Sequence, residues 1–283
     1  MKIIVTGASG QLGRAVTAEL VGRVDPSDLI LVTRSAADLS ESAPAGADVR
    51  YGDFTDATSL EKSFSGGNRM LLISTDKVGD RVEGHKTAVD AAVRADIELV
   101  AYTSIINPTR ENPAVVAPEH RATEEHLLDS GIGWTFLRNS IYAEIQKRAM
   151  TAAAQSGSLV TNEGKGRTAY VSRQDCAAAA AAVLTGDGHA SRAYEITGPE
   201  LLDAEDRARI YSEVTGARIE VVHVDDDRYA AGMAEATGMP IETARSFATF
   251  GQATREGLFD VQSDDLQHLI GRQPRTLHEV LSQ

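Results

Sequence analysis

Short apolar runs alternate with longer amphipathic segments along the first 200 residues of the chain. Strands that alternate with helices fold into a parallel sheet covered by helices, with the carboxyl ends of the strands at one edge, where ligands bind. The pattern therefore predicts an α/β, Rossmann-type doubly wound parallel sheet. The apolar runs predict strands at residues 2–6, 29–33, 48–51, 69–74, 98–103 and 134–138. The segments between them predict helices at 11–21, 59–65, 81–95, 118–129 and 141–155.

The pattern becomes less regular after residue 140. It predicts short strands at 169–172, 194–197 and 219–224, an alanine-rich helix at 175–184, and mainly helices beyond residue 201. No Pro- or Gly-rich linker separates the two parts, so the second part is expected to grow out of the sheet. We predict a Rossmann core at 1–140 and a mixed region at 141–283. The mixed region adds strands to the sheet and forms a smaller, mainly helical C-terminal substrate-side lobe.

Composition and charge exclude several classes of partner. The chain is 42% hydrophobic, and 41 acidic against 28 basic residues give a net charge of −13. A nucleic-acid binder needs a basic surface, so no nucleic-acid partner is expected. The chain has neither an apolar stretch of ~18 residues nor a charged-then-apolar segment at its start. We expect a cytoplasmic monomer or homodimer with no membrane partner.

The first predicted strand runs directly into a glycine loop that opens a helix. In this context Gly7 permits a tight turn, Gly10 lets a pyrophosphate approach the backbone, and Gly13 lets the helix pack close to the strand. The helix terminus offers N–H groups and a positive partial charge to phosphates. The alternative is a Gly-rich turn that binds nothing. The predicted cofactor-binding residues of the loop are Gly7, Ala8, Ser9, Gly10, Gln11, Leu12 and Gly13.

Residues after the second and third strands indicate which dinucleotide is bound. An NAD site would carry an acid roughly 20 residues past the glycines. No carboxylate lies between residues 29 and 37, and Arg34 can pair with a 2′-phosphate, so NADPH is favoured over NADH. Arg34 is alternatively a solvated surface residue, a reading that the nearby Asp38 favours. Asp53 can accept a hydrogen bond from the adenine amino group, or it can cap the next turn.

Polar residues also close the fourth and fifth predicted strands. Ser74 and Thr75 follow one, and Tyr102 and Thr103 end the other, so all four lie at the ligand edge. Such side chains suit contacts to ribose and nicotinamide, although hydroxyls also cap helices. We include all four among the predicted cofactor-binding residues.

The usual acid pair of short-chain dehydrogenases is missing. That pair is a Tyr with a Lys four residues later, and none of the seven tyrosines has one. Hydride delivery to a ketone makes an alkoxide that needs a positioned acid. Delivery to a quinone makes a hydroquinone anion with a phenol-like pKa of about 10, and a triarylmethyl cation needs no proton. The acceptor is therefore predicted to be an aromatic or quinone-like small molecule.

Histidines suggest no metal site. His120 and His126 are six residues apart, which does not place them on one helix face, and no cysteine or carboxylate cluster completes a ligand set. His120 is a candidate for substrate contact or a helix-surface histidine. No residue is predicted as a firm catalytic group.

Several stretches together resemble the NmrA-like atypical short-chain dehydrogenase/reductases, within them the NAD(P)H:quinone oxidoreductase type 2 and triphenylmethane reductase group. Besides the glycine loop, they include Leu137-Arg138-Asn139 with Tyr142, and the segments 72–74, 101–104, 159–162 and 263–271. The resemblance implies that Arg34 holds the adenosine phosphate and that Ser74 and Thr75 line the cofactor. It places Arg138, Asn139 and Tyr142 along the nicotinamide and substrate mouth. The polar, proline-bearing loop 104–117 departs from the quinone reductases.

Two functions compete at this point. The resemblance implies an NADPH-dependent reductase that transfers hydride to a quinone or similar conjugated acceptor. The alternative is an NADP-binding redox sensor that regulates a partner without catalysis, since fold alone does not determine function. An epimerase or dehydratase ranks last, because it would need the missing Tyr and Lys.

Overall fold

A seven-stranded parallel sheet forms the centre of the molecule. The computed structural model describes residues 1–35, 39 and 42–283. Helices flank both faces of the sheet, so the predicted Rossmann-type α/β fold is confirmed. The strands of this sheet are β1 (Ile3–Thr6), β2 (Leu29–Thr33), β3 (Asp48–Tyr51), β4 (Arg69–Leu72), β5 (Leu99–Ile105), β6 (Gly133–Asn139) and β8 (Arg192–Ile196). Their order across the sheet is β3-β2-β1-β4-β5-β6-β8.

Side chains that alternate along each strand build two separate cores. On β1, Ile3 and Val5 face one side of the sheet, while Ile4 faces the other. The first core packs the sheet against helices α1 (Gln11–Val21) and α6 (Arg173–Thr185). The second packs it against α2 (Ala57–Phe64), α3 (Val82–Arg94) and α4 (Ala117–Asp129). The apolar runs are continuous because the central strands are buried on both faces.

The C-terminal half returns to the sheet before it forms its own lobe. After a 3-10 turn and α5 (Gln146–Ser156), β7 (Ser158–Thr161) pairs with β9 (Glu220–His223) in a separate two-stranded parallel sheet. The remaining helices are α7 (Ala204–Thr215), α8 (Asp226–Thr237), α9 (Ile241–Arg255), α10 (Asp265–Ile270) and α11 (Leu277–Leu281).

Two predicted elements of this half are wrong. The predicted strand at 169–172 is an irregular segment with isolated bridges at Thr168 and Val171, while β7 was not predicted. The helix predicted from residue 141 begins only at Gln146, because Tyr142 is extended. Isolated β-bridges pair Thr168 with Leu202 and Val171 with Tyr142. These long-range hydrogen bonds satisfy the backbone here, so the local hydrophobic pattern did not predict its conformation. The division at residue 140 stays a prediction.

None of the helices in the described part of the chain is long and apolar enough to cross a membrane.

Candidate functional site

The glycine loop is a tight turn tied to the end of β2. Gly7 has a φ of +59°, and its carbonyl accepts the Gly10 N–H at 2.9 Å. The Ala8 N–H donates to the Val32 carbonyl at 3.1 Å, and the Ser9 hydroxyl bonds the Thr33 hydroxyl at 2.7 Å. The positive φ at Gly7 favours glycine. These bonds hold the loop in one shape before any ligand binds.

The glycine loop and the start of α1 form a cradle that fits a pyrophosphate. Gly7 and Gly10 are exposed, whereas Gly13 is buried, and a Cβ there would lie 2.3 Å from the Gly7 carbonyl oxygen. Gly10 is the N-cap residue of α1, so no side chain caps this helix, and its first turn has no acid. By contrast, the Asp56 carboxylate caps α2. The N-terminal N–H groups and positive dipole end of α1 thus remain available to an anion.

Arg34 and Asp53 lie at neighbouring strand ends beside this cradle. Arg34 is exposed, and its charge acts on Asp53. One oxygen of Asp53 accepts the Thr55 N–H and the Thr55 hydroxyl, each at 2.9 Å. The Thr55 backbone bond is the main reason why the pKa of Asp53 lies below its usual value, with Arg34 and Lys77 adding to it. Asp53 thus caps a turn in this structure, and Asp38 lies outside the described residues.

The carboxyl ends of β4 and β5 are joined by hydroxyl groups. The Ser74 N–H donates to the Thr103 hydroxyl at 2.9 Å, and that hydroxyl lies 3.3 Å from the Ser74 hydroxyl. The predicted fourth strand ends early, at Leu72, which leaves Ser74 and Thr75 in the loop that follows. The structure therefore brings Ser74 and Thr103 together at the ligand edge.

Tyr102 and His120 lie in the interior of the molecule. Tyr102 is 0% exposed and His120 is 5% exposed, and the Tyr102 hydroxyl lies 2.8 Å from His120 Nδ1. Burial raises the pKa of Tyr102 and lowers that of His120. Their position gives no support to side-chain contacts with cofactor or substrate. The sequence pattern placed Tyr102 at the ligand edge and gave His120 as a substrate contact or a helix-surface histidine, because local patterns do not show which face of α4 packs on the sheet.

Arg138 and Asn139 are neighbours on β6 but take part in different clusters. The Arg138 guanidinium pairs with Glu124 at 2.7 Å and with Glu195 at 3.3 Å. The Asn139 amide donates to the Tyr142 hydroxyl at 3.1 Å. Successive strand residues face opposite sides of a sheet, which separates Arg138 from the other two.

Tyr142 is held by Asn139 at its hydroxyl group and by Arg173 at the face of its ring. The Arg173 guanidinium lies 5.1 Å from the centroid of the Tyr142 ring. Burial raises the pKa of Tyr142, so the phenol is protonated at neutral pH. Its oxygen accepts from Asn139, which leaves its proton able to donate.

A cleft of about 490 Å³ opens between the loop after β4 and the helix α9. Its volume lies in the range of small-molecule sites. Residues of α9 were not predicted at the site, although Phe247 and Phe250 share a helix face and Phe247 is 48% exposed. The cleft is lined by Asp76, Lys77, Val78, Val115, Glu242, Thr243, Ser246, Phe247 and Phe250.

The loop 104–117 holds α9 in place. An apolar cluster packs Ile106 and Ala114 of this loop against Ala253 of α9 and Phe259. The Val115 N–H donates to the Thr249 hydroxyl at 3.0 Å. At the adjacent residue of α9, the Asn162 amide donates to the Ala248 carbonyl at 2.8 Å. The loop that departs from the quinone reductases thus shapes one wall of the cleft.

In the described part of the chain, no three His, Cys, Asp or Glu side chains approach closely enough to hold a metal ion.

Comparisons with known proteins agree with this geometry. The sequence model of a family described as NAD(P)H-binding matches residues 7–187. Quinone oxidoreductase 2 of Escherichia coli (strain K12) is 34% identical over 281 residues, which cover 99% of this chain and 97% of that protein.

Solved structures give the same result. The E. coli NADPH-dependent quinone oxidoreductase complexed with NADPH has a TM-score of 0.95 at 32% identity, covering 99% of this chain and 98% of that one. Citrobacter sp. triphenylmethane reductase complexed with NADP(H) has a TM-score of 0.91 at 34% identity, covering 99% of both chains. The resemblance inferred from the sequence motifs is confirmed.

Proposed function

The chain belongs to the NAD(P)H-binding family, and from this premise we propose that it is an NADPH-dependent reductase of quinones or similar conjugated acceptors. One observation carries the proposal. An uncapped glycine cradle suited to a dinucleotide and a cleft with two phenylalanines lie at the carboxyl edge of one sheet. A planar aromatic acceptor can pack against these two phenylalanines.

The chain's own residues would bind and orient the dinucleotide. The first N–H groups of α1 would meet the pyrophosphate beside the exposed backbone of Gly7 and Gly10, and Arg34 would meet the adenosine phosphate. Ser74 and Thr103, which are joined by hydrogen bonds, lie at the edge where ribose and nicotinamide are expected. NADPH, when bound, supplies the hydride.

The absence of a Tyr and Lys pair limits which acceptors suit the site. Among the candidate site residues, Tyr142 is the phenol that could serve as an acid, but its raised pKa makes it a weaker acid than a free tyrosine. A phenol in this state donates a hydrogen bond without readily giving up its proton. Quinones and conjugated cations need no acid during hydride transfer, so they suit this site better than ketones.

The test mixes the purified protein and NADPH with a panel of quinones and triarylmethane dyes. Oxidation of NADPH is measured as the loss of its absorbance. Turnover with at least one acceptor of these classes is expected. Tight NADPH binding without hydride transfer to any acceptor would instead support the non-catalytic redox sensor.

Arg34→Ala is expected to weaken NADPH binding roughly tenfold to hundredfold and to leave NADH binding unchanged. The reason is the loss of a charge-assisted contact to the 2′-phosphate, which contributes ~1.5 to 3 kcal/mol. Titration calorimetry with both cofactors measures it. Arg23→Ala, at the far end of α1, removes the same charge and serves as the control. A mutant that keeps its NADPH preference would exclude Arg34 as the discriminating residue.

Tyr142→Phe is expected to raise the KM for the acceptor several-fold while kcat at saturation stays near the wild-type value. The phenol is protonated and held by Asn139, so its role would be to orient the acceptor. Steady-state kinetics with one quinone separates the two parameters. Asn139→Ala, which releases the phenol from its partner, should change KM in the same direction. A collapse of kcat with unchanged KM would identify Tyr142 as a proton donor.

A further inference from the structure

The loop from Thr75 to Arg81 is fixed to the protein at both ends by buried side chains. The Thr75 N–H donates to His85 Nε2 at 3.1 Å, and the Thr75 carbonyl accepts from Arg81 Nη1 at 3.0 Å. Both backbone groups of Thr75 are therefore held by side chains that are 5% exposed or less. Backbone groups of a surface loop can bond to water, whereas both groups of Thr75 bond to buried side chains.

The partners of His85 define its tautomer. Its Nε2 accepts from Thr75, so its proton is on Nδ1, which lies 3.0 Å from the Thr123 hydroxyl. That hydroxyl donates onward to the Glu119 carbonyl at 2.9 Å. Burial and the charge of Arg81 lower the pKa of His85 to about 3. The imidazole is thus neutral, and it can accept the Thr75 N–H at all ordinary pH values.

A buried ion pair completes the attachment. Arg81 Nε lies 2.9 Å from one oxygen of Glu119, and the other oxygen accepts the Gly79 N–H at 2.9 Å. Such a pair contributes little net stability, because desolvation offsets most of the attraction. What it does provide is a defined geometry. Glu119 belongs to α4, so the loop takes its position from that helix.

The residues between these attachments form a wall of the cleft. Asp76, Lys77 and Val78 are exposed and line the cleft opposite α9, while the attached residues Thr75 and Gly79 lie on either side of them. Fixing both sides of a three-residue stretch limits the conformations it can adopt.

We propose that His85, Arg81 and Glu119 are positioning residues that hold the wall formed by residues 76–78 in a shape that binds the acceptor. This inference rests on the proposed function. None of the three side chains touches the acceptor; each acts through the backbone of Thr75 or Gly79. Loss of the attachment raises the KM for the acceptor more than it lowers kcat, because the wall must be ordered each time that an acceptor binds.

A matched pair of variants separates positioning from packing. The His85 ring also packs edge-on against Phe54 and Tyr102, so removing it weakens the core as well. His85→Gln and His85→Leu lose that ring alike and are similar in size. Only Gln offers an oxygen that can accept the Thr75 N–H.

The experiment measures four quantities for both variants: KM and kcat for one quinone, the Kd for NADPH, and hydrogen exchange of residues 74–80. We expect His85→Leu to raise the acceptor KM about tenfold, with faster exchange in 74–80. In His85→Gln, both should stay within about twofold of wild type. Equal KM values for the two variants, with equal exchange in 74–80, would overturn the proposal.

Hydrogen exchange of the wild-type protein keeps the test decisive if the Leu variant does not fold. The amides of Thr75 and Gly79 should exchange more slowly than that of Lys77. Exchange of all three at one rate would overturn the attachment. If no quinone is reduced by the wild type, the proposed function fails, while hydrogen exchange still decides whether the loop is attached.

Discussion

Quinones are expected to be reduced about 100 to 10,000 times faster than isolated ketones, the factor that a positioned acid typically contributes. Ketone reduction forms an alkoxide, which needs a proton during hydride transfer. No tyrosine of this chain is followed by a Lys four residues later, and burial raises the pKa of Tyr142. A hydroquinone anion has a phenol-like pKa of about 10, so water can protonate it later.

The measurement compares kcat/KM for a quinone and a ketone of similar size at one NADPH concentration. A triarylmethane dye serves as the control, because hydride transfer alone neutralises the cation. It should be reduced at a rate closer to that of the quinone than to that of the ketone. Robust activity on simple ketones would overturn the acid-free mechanism and require a proton donor that the structure does not identify.

Gly10→Val is expected to weaken NADPH binding by at least ~100-fold while the chain still folds. The added side chain would occupy the space where the pyrophosphate meets the glycine cradle, and more than one charge-assisted contact of ~1.5 to 3 kcal/mol would be lost. The protein itself can accept the substitution with a small adjustment. Among the described residues, a Cβ at Gly10 approaches the Gly7 carbonyl oxygen alone, at 3.2 Å, so that oxygen must shift by a few tenths of an ångström. The backbone angles of −73° and 168° suit any residue.

Two further variants test this explanation. Ala18→Val places the same side chain at an exposed position of α1 and should leave NADPH binding intact. Gly13→Ala should instead disturb the fold, since its Cβ would lie 2.3 Å from the Gly7 carbonyl oxygen. Circular dichroism and calorimetric titration measure folding and binding separately. Normal NADPH affinity in a folded Gly10→Val protein would show that this loop does not hold the phosphates.

Strand and helix positions in the first 140 residues were predictable because their signals are local. The bounds of β2, β3 and α1 agree with the prediction. The strand β2 is a continuous apolar run that is buried throughout, whereas β3 lies at the edge of the sheet and is only partly buried. The strand β7 was missed because only two of its four residues are buried, and Val160 is 46% exposed. A short strand of this kind has no clear period.

Tertiary contacts decided which candidate residues actually meet. His120 and Arg138 carry the residue types of a site, yet one lies in the core and the other pairs with two carboxylates. The cleft joins Val78 to Phe247, which are far apart in the chain. His85 gave no signal, because its significance depends on Thr75 and Thr123 lying on either side of it.

The sequence by itself determined the parallel α/β sheet, the glycine cradle at its first strand and the absence of a Tyr and Lys pair. Each of these depends on residues that are close neighbours in the chain, so spacing alone specifies them. Only the tertiary structure decided the cleft against α9, the attachment of the 75–81 loop, and the two carboxylates that pair with Arg138. These depend on helix faces and long-range packing, which local patterns do not encode.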